Sequence, residues 1–241
     1  MIPLALSVLL IAYLAAGSPW LGKRSYNRLA RERDTPRTYE RLVGWWMAEL
    51  WALAGLALVI VGLSPELDLA RIGLVPGADL PTLAGMLVGA AVAAVLIVLL
   101  LRRSQRDVAG TTAFQAIMPR TPAERWFAMG MSVTAGVTEE IVYRGLLIGL
   151  GVHVFGLPLP VAAGLALAIF VAGHLYQGSK GMAVVTLAGL GLTLLYLRTG
   201  SLVLPIVLHV LIDVRSFLFL PAKRPPAKLP GDVDGIATVR G

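Results

Sequence analysis

Long apolar runs, separated by short basic segments, dominate this sequence of 241 residues. A run of about 17–25 apolar residues can cross the roughly 30 Å hydrocarbon core of a bilayer as a helix. Seven such runs are present, at residues 2–20, 43–63, 81–101, 127–150, 157–176, 181–198 and 201–220. They predict an all-α, polytopic membrane helix bundle with about seven transmembrane helices.

The composition excludes several other classes of protein. Hydrophobic residues make up 57% of the chain and charged residues 15%, whereas charged residues form about 25% of an average soluble chain. A water-soluble globule with this composition would expose large apolar patches and aggregate. A soluble enzyme, a disordered chain and a fibrous repeat are therefore excluded. The absence of cysteine excludes disulfides, thiolate metal sites and a cysteine nucleophile.

The basic residues predict an orientation in the membrane. Of the 21 Lys and Arg, 17 fall in the first, third and fifth loops and the C-terminal tail, and two fall in the opposite loops. Cytoplasmic loops carry an excess of Lys and Arg, so we expect the N-terminus outside and the C-terminus in the cytoplasm. The net charge of +7 then indicates contact with anionic membrane lipid and not with nucleic acid. The chain has four Lys and 17 Arg, with abundant Ala and Gly, a composition typical of proteins from high-GC prokaryotes. We therefore expect the protein in the cell membrane of a prokaryote.

Several ionisable residues lie within the predicted spans. Each costs about 2.5–3.5 kcal/mol at the centre of a membrane helix and marks a functional site by default. These residues occur on only some of the spans, and we expect those spans to converge on one cavity. The ionisable residues are Glu49, Glu139, Glu140, Arg144, His174, His209, Asp213 and Arg215.

The spacing of these residues divides the two adjacent glutamates. Glu140 and Arg144 are four residues apart, so they can form an ion pair along the helix. Glu139 points about 100° away from Glu140 and stays free to act as a general base or acid. His209 and Asp213 also share a helix face, as do Phe170 and His174.

Together, three patterns resemble a known family. Glu139-Glu140-x-x-x-Arg144, Phe170-x-x-x-His174 and His209-x-x-x-Asp213 are similar to the three motifs of the CAAX-protease and bacteriocin-processing (CPBP, Abi) family of intramembrane glutamate endopeptidases. The motifs occur in order on successive apolar segments and cover residues 122–214. The third motif of the family ends in Asn or Asp, and here it ends in Asp213.

The resemblance implies an intramembrane endopeptidase with catalytic residues Glu139, His174, His209 and Asp213. Glu139 would activate the water that attacks the scissile carbonyl, and His174 would help to position that water. His209 and Asp213 would support the oxyanion. An ionised aspartate cannot donate a hydrogen bond, so we expect Asp213 to orient His209 and keep it protonated, with His209 as the donor.

The resemblance also implies supporting roles, and together with the apolar runs and the charges it divides the chain into three parts. Glu140 and Arg144 would hold their helix in register, and Phe170 would pack behind His174. Residues 1–121 would be N-terminal transmembrane helices and basic loops, residues 122–220 the catalytic core, and residues 221–241 a flexible cytoplasmic tail. The expected partners are membrane lipid and a peptide or protein substrate whose identity the sequence does not give.

Three alternatives stay open. The same side chains could ligate zinc, although the His-Glu-x-x-His spacing of many zinc proteases is absent; we expect no cofactor and no metal. Buried Glu, His and Asp residues also serve transporters and proton relays. A non-catalytic immunity or scaffold protein could retain all three motifs.

Overall fold

Helices form all of the regular structure in the described residues of the computed structural model, which are 1–74, 81, 84–85, 88–89 and 115–219. The prediction of an all-α fold is confirmed for these residues. The predicted span 81–101 lies almost wholly outside them, and the predicted tail 221–241 lies entirely outside them. Six helices are described in full: α1 (Ile2–Arg31), α2 (Thr38–Leu63), α3 (Pro122–Glu139), α4 (Leu159–Gly173), α5 (Gly178–Thr199) and α6 (Val203–Phe219).

Within the described residues, three helical stretches are long and apolar enough to cross a membrane. They are Ile2–Arg31, Thr38–Leu63 and Leu175–Thr199, and Leu159–Gly173 is a shorter apolar helix. Large side chains on these helices are exposed, among them Trp45 and Leu187 at 71% and 72%, as expected of a surface that faces lipid and not water. The chain is an integral membrane protein.

Helix α1 is longer than the sequence predicted. The apolar run ends near residue 20, but the helix continues to Arg31. Lys23, Arg24, Arg28 and Arg31 therefore lie on the helix and not in a loop. Lys and Arg are good helix formers, and basic side chains near a helix C-terminus are favoured by its dipole. A π-helical turn, Tyr13–Gly17, interrupts the α-helical ladder of α1.

Helix α3 is central in the bundle, packing most extensively against α6 and α2. It begins at Pro122, where the missing proline N–H costs nothing, and the Thr121 hydroxyl accepts a hydrogen bond from the N–H of Glu124 at 3.2 Å. After Glu139 the helix continues in π-helical turns, Glu140–Leu147 and Leu150–Val154.

Helices α2 and α3 run in the same direction. A Cβ added at Gly130 would lie 3.3 Å from the sulfur of Met47. One turn further along both helices, Trp51 Nε1 donates a hydrogen bond to Thr134 Oγ1 at 3.2 Å. Both contacts join residues 83 positions apart, so the two helices advance together. A residue on α2 therefore lies at the same height along the bundle as the α3 residue 83 positions later.

Candidate active site

One cavity, of about 250 Å³, brings together the four predicted catalytic residues. Glu139 lies at the end of α3, His174 directly after α4, and His209 and Asp213 on α6. All four side chains line the cavity. The expectation that the polar helices converge on one cavity is confirmed.

Glu139 has a carboxylate oxygen with no hydrogen-bond partner. Its Oε2 atom is buried and accepts no hydrogen bond within the described part of the chain. Among the described residues the imidazole of His209 can pair with it when protonated, since His209 Nε2 lies 3.8 Å away. A buried carboxylate oxygen is costly to leave unsatisfied. This atom is therefore placed to accept a hydrogen bond from a molecule in the cavity.

Glu140 and Arg144 form the ion pair that their spacing predicts. Arg144 Nη1 donates to Glu140 Oε1 at 2.8 Å, and both side chains are fully buried. The guanidinium also donates from Nη2 to the carbonyl of Gly189 at 3.1 Å and from Nε to Thr193 Oγ1 at 3.4 Å. Its carbon lies 4.3 Å from the centre of the Phe170 ring. Arg144 thus ties α3 to both α5 and α4.

The hydrogen bond to His209 comes from an unexpected partner. His209 Nδ1 donates to Glu140 Oε1 at 2.7 Å. Asp213, which we expected to orient this histidine, lies 4.0 Å from its Nε2 and makes no hydrogen bond to it. Glu140 reaches His209 from α3, whereas Asp213 is held one turn away on α6. Glu140 therefore fixes the orientation of the ring, and Nε2 faces Glu139 and Asp213.

A glycine allows α3 and α6 to approach closely enough for this contact. A Cβ at Gly136 would lie 2.5 Å from a methyl group of Val210 and 2.9 Å from its backbone nitrogen. Side chains rarely come so close to backbone atoms, so only glycine fits here without a shift of one helix. His209 is the residue before Val210, and this approach brings it next to Glu139 and Glu140.

His174 is held by its own helix. Its Nδ1 donates to the backbone carbonyl of Phe170 at 2.8 Å, because a carbonyl can only accept. In the neutral ring Nε2 is then the unprotonated nitrogen. The ring centres of Phe170 and His174 are 4.7 Å apart, so Phe170 packs against His174 as expected.

Sequence reasoning missed the residues that support the ion pair. Thr193 and Gly189 carry no charge and lie on α5, a span without ionisable residues at membrane depth, so no signal marked them. Glu49 was noted as an ionisable residue within a predicted span, and the structure gives it a partner: the hydroxyl of Tyr13 donates to Glu49 Oε1. The π-helical turn at Tyr13 had no signature in the hydrophobic pattern.

The zinc alternative needs a set of ligands. Among the described residues no group of three or more His, Asp or Glu side chains could hold a metal ion.

Comparison with known proteins identifies the segment that carries this site. Residues 121–215 match the family model for type II CAAX prenyl endopeptidase, Rce1-like. No curated protein and no solved structure matches the chain. The match begins at Thr121, the N-cap of α3, and ends two residues past Asp213. Residues 121–215 therefore carry a domain similar to the Rce1-like type II CAAX prenyl endopeptidases, a family of proteases, as the three motifs suggested.

Proposed function

We propose that the protein is an intramembrane endopeptidase that hydrolyses peptide bonds with a water activated by Glu139, without a bound metal. The observation that carries this proposal is the buried, unpartnered Oε2 of Glu139, which faces His209 inside the cavity. A general base needs a free acceptor atom within reach of a water molecule. The family match supports peptidase activity at the level of the family.

The reaction begins when Glu139 removes a proton from the water. The resulting hydroxide adds to the carbonyl carbon of the scissile amide, and the carbonyl oxygen becomes an oxyanion. Glu139 then gives the proton to the leaving nitrogen, the C–N bond breaks, and a new carboxylic acid and a new amine result. Base catalysis of this kind contributes about 10²–10⁴-fold to the rate.

His209 is the proposed donor to the oxyanion. Because its Nδ1–H is directed to Glu140, Nε2 can donate only when the ring carries both protons. Carboxylates of Glu139 and Asp213 lie 3.8 and 4.0 Å from Nε2, and each stabilises a positive ring by Coulomb attraction. Asp213 thus contributes charge without a direct hydrogen bond.

His174 is proposed to position the water. With Nδ1–H bound to the Phe170 carbonyl, its neutral ring offers the Nε2 lone pair as an acceptor. A water that donates one hydrogen bond to His174 and one to Glu139 has its own lone pair directed at a third point, where the carbonyl carbon would lie. Glu140, Arg144 and Phe170 hold this geometry and do not take part in proton transfer.

The test is peptide cleavage by purified protein in lipid vesicles. Glu139→Gln keeps the size and hydrogen-bonding shape of the side chain but removes the base, so we expect it to lower cleavage at least 100-fold while the protein stays folded. Activity of the wild type should survive exhaustive chelation. Zinc present at one per chain, lost together with activity and restored with it, would replace the glutamate mechanism by the metal alternative.

We further propose seven transmembrane helices with the N-terminus outside, in the cell membrane of a prokaryote. The parallel course of α2 and α3 supports this count, because the chain between Leu63 and Pro122 then has to return across the bundle. The predicted span 81–101 would be that return. The 17-to-2 division of Lys and Arg supports the orientation.

A further inference from the structure

Glu49 is a cavity carboxylate to which the proposed chemistry gives no role. It lies on α2, a helix outside the matched segment, and its side chain lines the same cavity as Glu139. The hydroxyl of Tyr13 donates to its Oε1. Its Oε2 has no hydrogen-bond partner in the described part of the chain. A carboxylate at membrane depth that is fixed by one partner and open on its other oxygen is a candidate for binding a ligand.

The geometry of α1 fixes the partner of Glu49. Tyr13 begins the π-helical turn Tyr13–Gly17, and π-helical turns frequently occur at functional sites. A Cβ at Gly17 would lie 2.8 Å from the ring of Tyr13. The glycine therefore gives the ring room to lie along the helix, where its hydroxyl reaches Glu49.

The parallel register of α2 and α3 gives the offset along the helix axis between Glu49 and the proposed base. A Cβ added at Gly44 would lie 3.6 Å from the ring of Phe127. These two residues are 83 positions apart, as are Trp51 and Thr134. Glu49 is therefore level with Ser132, seven residues before Glu139. At 1.5 Å per residue the offset along the helix axis is about 10 Å. An extended peptide covers this length in about three residues.

The charge of the cavity wall narrows the class of substrate. The described residues that line the cavity include three carboxylates, Glu49, Glu139 and Asp213, and two imidazoles, but no lysine or arginine. Arg144 is buried behind the wall in its pair with Glu140. In this wall Glu49 offers an acceptor to a cationic group of a substrate.

We infer that Glu49, held by Tyr13, determines substrate specificity by binding a basic side chain of the peptide about three residues from the scissile bond. This inference rests on the proposed peptidase function. It makes the preferred substrate a peptide segment with a lysine or arginine at that position. A hydrogen bond to a charged group is worth about 1.5–3 kcal/mol, which corresponds to roughly 10–150-fold in kcat/KM.

The experiment uses matched peptides in which arginine or citrulline, a neutral side chain of the same shape, is moved along an apolar sequence. For the wild type in vesicles we expect kcat/KM to favour arginine over citrulline at least tenfold at one position, about three residues from the cleaved bond. In Glu49→Gln the ratio should fall below threefold. Glu66→Gln removes an exposed carboxylate elsewhere and should keep the wild-type ratio.

The inference and the proposed function can fail separately. A wild type that cleaves arginine and citrulline peptides equally well at every position overturns the role of Glu49 and leaves the peptidase standing, whether or not Glu49→Gln folds. If no peptide is cleaved, fluorescence anisotropy measures the binding of the same pairs. Tighter binding of the arginine peptide that is lost in Glu49→Gln supports the inference although the peptidase function fails. Equal binding overturns it.

Discussion

Two adjacent glutamates, at the end of α3 and the start of its π-helical continuation, have different surroundings. Glu140 accepts hydrogen bonds from Arg144 and His209 on a single oxygen, and its side chain is fully buried. Among the described residues the Oε2 atoms of both glutamates lack a hydrogen-bond partner, but of the two only Glu139 lines the cavity. One helical position therefore separates a structural carboxylate from the proposed base.

Replacement of Glu140 by glutamine should destabilise the protein. The change leaves the guanidinium of Arg144 buried without a counter-charge, and breaking a buried pair from one side costs about 3–5 kcal/mol. We expect Glu140→Gln to lower both the folded yield in detergent and the thermal midpoint of unfolding. Glu139→Gln, the matched control one residue away, should keep both near wild type. Equal losses in the two variants would contradict this division.

The residue scale also shows where sequence reasoning succeeds and where it ends. The pair Glu140–Arg144 is local, because four residues along one helix fix it, and the spacing predicted it. The bond from His209 to Glu140 joins residues 69 positions apart. It depends on how closely α3 approaches α6, and the residue that decides this, Gly136, carries no polar signal. The expectation that Asp213 would orient His209 was wrong, because the close approach of the two helices gives His209 a hydrogen-bond partner in Glu140 that the sequence does not reveal.

At the scale of the elements, the contact between α3 and α6 determines whether the site assembles. Gly136→Ala would place a Cβ 2.9 Å from the backbone nitrogen of Val210, and no rotation of a side chain can relieve contact with a backbone atom. We expect a loss of about 1–3 kcal/mol, as for overpacking, seen as a lower thermal midpoint, together with a tenfold or greater loss of cleavage.

Gly55→Ala is the matched control for this change. Gly55 lies on α2, and an added Cβ would meet nothing within 4 Å. Alanine is favoured over glycine within a helix by about 1 kcal/mol, so this variant should be as stable as the wild type or more stable. A Gly136→Ala protein that matches Gly55→Ala in stability and activity would show that the close approach is not needed.

The apolar runs located the helices, but not their ends or their irregular turns. Residues 43–63, 181–198 and 201–220 were predicted as spans, and α2, α5 and α6 overlap them closely. The extension of α1 through basic residues to Arg31 was missed, since hydropathy reports the membrane and not the helix. The π-helical turns were missed because they depend on the packing of Tyr13 and of the site residues.

On the scale of the whole molecule, a buried ion pair fastens the N-terminal helices to the matched segment. Arg33, between α1 and α2, donates to both oxygens of Glu124 at 2.8 and 2.6 Å, and its Nη2 also donates to the carbonyl of Met118 at 2.9 Å. Its guanidinium lies 4.5 Å from the ring centre of Tyr39. Glu124 precedes the predicted span 127–150, so this ion pair lies at one end of the bundle.

The ion pair between Arg33 and Glu124 should make the stability of the protein depend on pH. Burial raises the pKa of Glu124. The hydrogen bonds from Arg33 and from the Arg120 backbone N–H, together with the charge of Arg33, lower it by more than burial raises it. The pKa of Glu124 is therefore below its ordinary value of 4.5. A carboxylate with a lowered pKa contributes stability above its unfolded pKa and loses it as the pH falls through the folded one.

We therefore expect the wild type to unfold at a higher temperature than Glu124→Gln at pH 7, and this difference to shrink as the pH is lowered below about 4.5. Thermal unfolding in detergent over a series of pH values measures both. Glu66→Gln, which removes an exposed carboxylate, should follow the wild type throughout. A difference between wild type and Glu124→Gln that is unchanged between pH 7 and pH 3.5 would show that Glu124 carries no such contribution.

The number of membrane crossings can be tested through two exposed positions, because the chain has no cysteine of its own. Thr35 lies between α1 and α2, and His153 lies near the end of the π-helical continuation of α3. With the predicted span 81–101, three crossings separate them; without it only two do. A membrane-impermeant maleimide should label His153→Cys in intact cells and Thr35→Cys only after permeabilisation. Labelling of both from the same side would remove the predicted span, and labelling of Thr35→Cys alone from outside would reverse the orientation that the 17-to-2 charge division predicts.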